Sequence, residues 1–302
     1  MANFKPFRFI SLACLFILKS AHVPTSASTL EGFSGTLFSP SAQSLGHLGL
    51  AVSVSASGHQ DESMIRDNRF YFHQTGKAGD PDTAQVQDIQ SGAVRLNLGF
   101  GVGPYADFGL SVPYFADLIG DTKAKDLSGS GIGDAILSVK LGQSLAGPSV
   151  LTGAILGNLS IPSKSKRGFL PKQPDYLITD TAAGLPRFFS SHEISGTAQS
   201  ILTLDLTGLE TRPPFRSSLN AGFAHSGLKG SAPQVLLGGG MEWIPLPTLE
   251  FFANIQSQTR LSRMGEFAKI GNEFSYAAVG FCATGDDGIY FSVSVQKSLA
   301  NR

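Results

Sequence analysis

Apolar side chains alternate with small or polar ones in short stretches that recur along most of this chain. In the clearest stretch, Leu48, Leu50, Val52 and Val54 share one face and only Gly, Ala and Ser fall on the other. A period of two is typical of β-strands with one apolar face. Many such strands with few charges favour a barrel. We therefore expect an all-β fold, a single antiparallel transmembrane β-barrel of about twelve strands.

The alternation predicts eleven strands and leaves one position open. They are Leu45–Ser57, Gln90–Gly101, Tyr105–Phe115, Gly131–Leu141, Ser149–Ile161, His192–Leu206, Phe215–His225, Gln234–Ile244, Thr248–Gln258, Glu273–Ala283 and Gly288–Leu299. Bacterial single-chain barrels have even numbers of strands. We expect the twelfth at Gly32–Phe38, followed by a turn at Pro40–Gln43, although this would bring both termini to the same end of the barrel.

The predicted connections alternate between short and long. The short ones are 102–104, 142–148, 207–214, 245–247 and 284–287, and the long ones are 58–89, 116–130, 162–191, 226–233 and 259–272. Outer-membrane barrels have short periplasmic turns and long extracellular loops on the other side. The long loop 162–191 contains several basic residues. We expect this loop to fold inward as a gate, to bind anionic sugars or to be a plain exposed loop.

The first 28 residues have the features of a secretory signal peptide. Lys5 and Arg8 precede the apolar run Phe9–Leu18, and the small residues Ser26–Ser28 provide a cleavage site. The run is about half the length that a transmembrane helix needs. We expect residues 1–28 to be removed and residues 29–302 to form the barrel in the cell outer membrane. Cys282 is the one cysteine after that point, so no internal disulfide is expected.

The two faces of the predicted strands differ in polarity. The apolar, lipid-facing set includes Val94, Leu96, Leu98, Phe100, Phe108, Leu110, Val112, Tyr114, Leu137, Val139, Leu141, Leu219, Phe223, Val235, Leu237, Met241 and Trp243. The inward set includes Arg95, Asn97, Asp107, Ser111, Lys140, Asn158, Asp205, Arg216, Asn220, Glu242, Glu250, Asn254 and Gln256. A soluble β-sandwich alternates in the same way, so a secreted sandwich that binds glycans or protein partners is the alternative. A water-facing sheet normally carries more charge than this second face does.

Aromatic residues concentrate near the predicted strand ends. Phe100, Tyr105, Trp243, Phe251 and Tyr290 lie near short turns, and Tyr114, Phe115 and Tyr276 lie toward long loops. Aromatic belts at both interfaces are typical of membrane-spanning barrels.

Six charged inward residues gather near the short-turn end: Asp107, Lys140, Asp205, Arg216, Glu242 and Glu250. They predict either a charged lumen constriction that filters solutes or a salt-bridged cluster that fills a narrow lumen. Glu242 and Glu250 flank the 245–247 turn on one face, so they would repel each other unless Arg216 or Lys140 neutralised them.

No motif in the sequence supports an enzyme, a cofactor or a metal site. The glycine-rich run Gly129–Asp134 is not followed by the amphipathic helix that phosphate binding requires. In the triplet Ser191, His192 and Glu193, adjacent side chains of a strand point to opposite faces, so it cannot form a catalytic triad by itself. The histidines lack metal-ligand spacing. The neutral net charge does not favour binding to nucleic acid.

Two stretches carry a resemblance to a known group of proteins. Gly131–Leu141 begins with a G-x-G-D pattern, and Leu96–Gly101 leads into Phe108–Tyr114, which ends in Pro113 and Tyr114. These segments resemble Gram-negative outer-membrane β-barrels, namely the transporter-like barrels of the phenol-degradation (MetA-pathway) type and the barrel domain of OmpA-like proteins. The resemblance implies a lipid bilayer and the outer-membrane assembly machinery as partners. It also implies a narrow channel or transporter-like barrel for a small-molecule solute, or a structural outer-membrane protein.

Overall fold

The computed structural model describes residues 14–20, 35–36, 39–61, 86–121, 127–146, 150–163, 193–209, 211, 213–226, 233–260, 274–285 and 290–298. The strands are β1 (Cys14–Ser20), β2 (Gly35–Thr36), β3 (Ser39–Pro40), β4 (Leu50–Asp61), β5 (Val86–Val102), β6 (Ala106–Asp121), β7 (Leu127–Ile132), β8 (Ala135–Ala146), β9 (Leu151–Ile161), β10 (Ser195–Asp205), β11 (Phe215–Ser226), β12 (Gln234–Leu246), β13 (Leu249–Arg260), β14 (Phe274–Thr284) and β15 (Tyr290–Ser298). A 3-10 turn, Leu206–Gly208, follows β10. Within these ranges we find no helix long and apolar enough to cross a membrane.

One antiparallel sheet contains every strand except β2 and β3. The order is β5-β4-β1-β15-β14-β13-β12-β11-β10-β9-β8-β6-β7, and β5 also pairs with β6. Because β7 and β8 pair with successive halves of β6, they share one position, and the sheet has twelve positions. The β5–β6 pairing joins the two ends of this order, so the predicted all-β fold of about twelve antiparallel strands in one barrel-like sheet is confirmed, where a sandwich would have two packed sheets.

The seam of this barrel lies at β1. Strand β1 pairs along its whole length with β4, from Cys14↔Ala56 to Ser20↔Leu50. Its pairing with β15 consists of the single pair Ile17↔Tyr290 in the part of the chain that the structure describes. Strands β4 and β15 are both antiparallel to β1, so they run in the same direction.

The prediction of a twelfth strand at Gly32–Phe38 is wrong for the residues described there. Gly35–Thr36 pairs with Ser39–Pro40 in a separate small sheet, which contacts β11, β12 and β13. Strand β4 also starts later than predicted, at Leu50 instead of Leu45. Gly46 and Leu48 have positive φ angles of 86° and 56°, which a β-strand cannot accommodate.

Two other predicted boundaries differ from the structure. The predicted long connection 116–130 is mostly strand, because β6 and β7 pair from Tyr114↔Ile132 to Ile119↔Leu127. The sequence of this hairpin does not alternate clearly, so the period of two gave no signal there. The predicted strand Gly131–Leu141 is interrupted at residues 133–134, where β6 changes its partner from β7 to β8.

Along the strands, large apolar side chains are exposed and polar side chains are buried, which is the reverse of the pattern in a water-soluble protein. The exposed set includes Leu96, Phe108, Tyr114, Leu137, Val139, Ile155, Leu219, Phe223, Met241, Trp243 and Val279, and the buried set includes Asn97, Ser111, Ser138, Asn158, Thr203, Ser218, Asn220 and Asn254. The predicted faces are confirmed with few exceptions. Leu110, Val112, Arg95 and Gln256 are intermediate, and Val235, directly across from the larger Phe223, is buried.

Several of the predicted belt aromatics lie on the outer face near short turns. Phe100, Tyr105, Trp243 and Phe251 are exposed, and the rings of Trp243 and Phe251 stack with centroids 5.4 Å apart. At the other end Tyr114 is exposed, but Phe115 is only 2% exposed and faces inward. Adjacent strand residues face opposite sides, so both could not lie in one belt. The side chains of Tyr276 and Tyr290 lie outside the described residues.

Candidate functional site

The barrel brings all six predicted charged residues into its interior near the short turns. Asp107 on β6 lies directly across from Lys140 on β8. Asp205 on β10 lies across from Arg216 on β11, which in turn lies across from Glu242 on β12. The sixth residue, Glu250, lies on β13, and all six are buried. They form two groups, one on the β6–β8 wall and one on the β10–β13 wall.

Ion pairs neutralise the β6–β8 group and offset part of the negative charge of the β10–β13 group. The Lys140 Nζ atom lies 3.1 Å from an Asp107 carboxylate oxygen. The Arg216 guanidinium lies 3.0 Å from Asp205 and 2.8 Å from Glu242, and the charge of Glu250 also acts on it. Arg216, and not Lys140, therefore offsets the repulsion expected between Glu242 and Glu250.

A segment that the sequence predicted only in part, as a turn at residues 40–43, runs between the two groups. We call residues Ser41–Gly46 the lumen strap. Lys140 donates hydrogen bonds from Nζ to the carbonyl oxygens of Ser41 and Gln43, at 3.2 and 2.5 Å. Asp107 Oδ1 accepts from Ser44 Oγ at 2.7 Å and from the backbone N–H of Leu45 at 3.0 Å. The β6–β8 group therefore binds the lumen strap as well as pairing internally.

Strand β10, two positions from β8 in the sheet, holds the lumen strap as well. Gln43 donates from Nε2 to Asp205 at 2.5 Å, and the backbone N–H of Ala42 donates to Thr203 Oγ1 at 2.8 Å. The Ala42 side chain belongs to a buried apolar cluster with Ala154, Leu156 and Ile201. The lumen strap is thus fixed to both charged groups, through Asp107 and Lys140 on one and Asp205 on the other.

The lumen strap also fits closely against glycines of the wall. A Cβ atom on Gly101 would lie 2.0 Å from the carbonyl oxygen of Gly46, and one on Gly142 would lie 2.7 Å from that of Ala42. Both distances are too short for a real contact, so the wall admits no side chain at these points. The strap has no periodic signal in the sequence, where residues 40–43 are predicted only as a turn.

Neutral hydrogen-bonding side chains line other parts of the interior. Asn97 donates to Ser53 Oγ at 3.1 Å and accepts from Ser111 Oγ at 2.7 Å. The buried atoms Ser138 Oγ, Ser160 Oγ, Thr197 Oγ1 and both amide atoms of Asn254 have no hydrogen-bond partner among the described residues. The interior therefore contains polar groups whose partners are not supplied by the described protein.

Other predicted features fall largely outside the described residues. In the 162–191 loop the structure describes only residues 162 and 163, and Ser191 and His192 of the tested triplet lie outside it. His47 and His225 are exposed. In the described ranges no three His, Cys, Asp or Glu side chains are placed to hold a metal ion.

Among the comparisons with known proteins, only the search of solved structures found a likeness. No protein-family model matches the chain, and no curated protein matches it. Among solved structures the chain is similar to the CymD monoaromatic hydrocarbon channel, with 11% sequence identity and a TM-score of 0.35, over 99% of this chain and 90% of that chain. A likeness of this strength carries no functional argument.

Proposed function

We propose that the chain is an outer-membrane β-barrel that forms a narrow passage for small solutes, held shut near its short turns by the lumen strap. One observation carries this proposal: the barrel exposes its large apolar side chains outward and buries its polar and charged ones. A contiguous apolar surface of this extent marks contact with a membrane or partner. Lipid offers no hydrogen-bond partners, so backbone N–H and C=O groups must pair within the protein. In a barrel they pair between neighbouring strands.

The six buried charges are proposed to form the constriction of this passage. Four of them are carboxylates (Asp107, Asp205, Glu242, Glu250) and two are basic (Lys140, Arg216). Rings of acidic side chains select cations in channels, so the passage, once open, should prefer cations. The same contacts also support a second candidate, a structural outer-membrane protein, because the lumen strap is fixed on both walls.

A folded membrane barrel should migrate faster on a detergent gel when it is not heated than after boiling, because the intact strands resist detergent. Extraction of the protein from cells should require detergent. Addition of the purified protein to a planar lipid bilayer tests the passage, and we expect rare, discrete conductance steps. Detergent-free extraction without heat-dependent migration would contradict the barrel, and a complete absence of steps would favour the structural role.

We also propose that residues 1–28 are removed as a signal peptide, which would take β1 with them. Strands β4 and β15 would then be the neighbouring edges, and their common direction would require parallel pairing between them, as in barrels with odd strand numbers. Intact-mass measurement of protein purified from the outer membrane should give the mass of residues 29–302. A mass that includes Cys14–Ser20 would show instead that β1 belongs to the mature barrel.

A further inference from the structure

Strand β7 has one edge that pairs with no strand in the part of the chain that the structure describes. On its other edge it pairs with β6, from Tyr114↔Ile132 to Ile119↔Leu127, and the order of the sheet ends at β7. Strand β8, which follows β7 along the chain, has a partner on each side, β6 and β9. The described wall between β6 and β9 is therefore complete beside β8 and has a free edge beside β7.

Alternate residues of β7 direct their backbone groups toward this free edge. The N–H of Gly133 donates to the carbonyl oxygen of Pro113 on β6 at 2.8 Å. Along an antiparallel pair, successive residues direct their N–H and C=O groups to opposite sides, so those of Gly131 also face β6. Those of Ser130 and Ile132 face the free edge, where they form a template for one more strand.

The sequence of β7 lacks two of the features that usually protect a free edge. Leu127–Ile132 contains no charged residue and no proline. Natural edge strands avoid unwanted pairing through such residues, through bulges or through a segment that covers the edge. For β7 we therefore expect a covering segment.

The chain that leaves β9 already contacts this edge. The Ser163 hydroxyl donates to the carbonyl oxygen of Ile132 at 2.9 Å, and the Ser163 N–H donates to Asp134 Oδ1 at 3.0 Å. Strands β7 and β8 run in the same direction, because both are antiparallel to β6. Strand β9 is antiparallel to β8, so a continuation of β9 past Ser163 would run antiparallel to β7.

We propose that residues 163–168 continue β9 as an antiparallel strand on the free edge of β7. No proline occurs in residues 163–170, so every residue of this segment has a backbone N–H to donate. The new strand would attach the start of the 162–191 connection to the barrel wall. The proposal concerns the wall alone and goes beyond the proposed passage.

A one-residue bulge sets the register of the proposed strand. Between the pairs Ser111↔Ile136 and Tyr114↔Ile132, residues 112–113 of β6 lie opposite residues 133–135, so the β7–β8 side has one residue more. Counted from Ala135↔Ile161 on the other side, the same extra residue brings Ile132 across from Ser163. This agrees with the hydrogen bond between them, and it brings Ser130 across from Ser165.

Hydrogen exchange of single backbone amides tests the proposal on the unmodified full chain in detergent. The amides of Gly129 and Gly131 face β6 and provide the internal control. If the edge is covered, the amides of Ser130 and Ile132 should exchange as slowly as those two, because their hydrogen bonds then lie between strands. Fast exchange at Ser130 beside slow exchange at Gly131 would overturn the proposal.

Cross-linking identifies the segment that covers the edge. Ser130→Cys combined with Ser165→Cys should be joined within one molecule by a thiol reagent that spans about 5 Å, the separation of directly opposed Cβ atoms. Ala116→Cys with Ser130→Cys is the positive control, because these residues are already paired. Ser130→Cys with Thr181→Cys measures random encounters with the rest of the connection. Cys282 is buried and stays in every variant.

Three results would overturn the proposal. The first is no link between positions 130 and 165 when the positive control is linked, and the second is equal linkage of positions 165 and 181. The third is a link between two molecules that carry Ser130→Cys alone, which would show that a second copy covers the edge. If a cysteine variant does not fold, the exchange measurement on the unmodified chain decides. None of these readouts requires passage of a solute, so a failure of the proposed passage would leave them unchanged.

Discussion

Replacement of Arg216 by methionine should destabilise the barrel more than any other single change in its lumen, by about 3–5 kcal/mol. The guanidinium is 4% exposed and pairs with both Asp205 and Glu242. Its loss would leave these carboxylates buried without a counter-charge. Reversible urea unfolding in lipid vesicles, followed by the heat-dependent gel shift, measures the change in the free energy of unfolding.

Two companion variants test the cause. Arg216→Met combined with Glu242→Leu removes one orphaned carboxylate, and Asp205 keeps its hydrogen bonds from Thr207, so the double variant should recover much of the loss. Arg95→Met is the matched control, because Arg95 also lies on the inner face but is only half-buried. If Arg216→Met costs no more than Arg95→Met, the buried ion-pair cluster does not stabilise the barrel as the structure indicates.

Displacement of the lumen strap should open the passage, which is the second large effect that we expect. Gly101→Ala would place a Cβ atom 2.0 Å from the carbonyl oxygen of Gly46, whereas Gly157→Ala would have its nearest neighbour at 4.0 Å. Because β5 is hydrogen-bonded to a strand on each side, we expect the first substitution to shift the lumen strap, whereas the second fits without strain. In planar bilayers Gly101→Ala should show frequent conductance steps, and Gly157→Ala should behave like the unmodified protein.

A chemically different variant should give the same result. The double substitution Lys140→Met with Asp107→Asn removes the ammonium that binds two carbonyl oxygens of the lumen strap and leaves no orphaned carboxylate. A charge-assisted hydrogen bond contributes about 1.5–3 kcal/mol, so the open state should gain about ten- to hundredfold in population. Ser138→Ala is its control for opening, because Ser138 lies on the same face of β8 and its hydroxyl makes no hydrogen bond to the described residues of the lumen strap. Equal conductance in all variants would contradict a closing role for the strap.

The open variants also test the constriction. In a salt gradient, the reversal potential of Gly101→Ala should show a preference for cations, and adding Glu250→Gln should reduce it, because one carboxylate of the group is neutralised. An unchanged reversal potential would remove the six charged residues from any filtering role.

Much of the barrel could be read from the sequence because strand geometry is local. The period of two follows from the pleat, so Leu96, Leu98 and Phe100 could be assigned outward and Asn97 inward without knowledge of their neighbours, and the structure agrees. The same alternation placed Asp107, Lys140 and Arg216 on the inner face near short turns. The β6–β7 hairpin was not predicted, because apolar and polar side chains do not alternate clearly in its sequence.

What the tertiary structure alone decided is how the inner residues are joined. The pairing of Arg216 with Asp205 and Glu242, and of Lys140 with Asp107, depends on strand register, which no single strand specifies. The lumen strap is irregular chain, so it has no period to detect. Its hydrogen bonds reach residues up to 162 positions away in sequence. The sequence by itself determined that the chain forms strands with an apolar outer face, because that is set residue by residue. Only the folded barrel brings distant wall residues to one cross-section, and it therefore determined that the charged side chains of the interior bind the lumen strap.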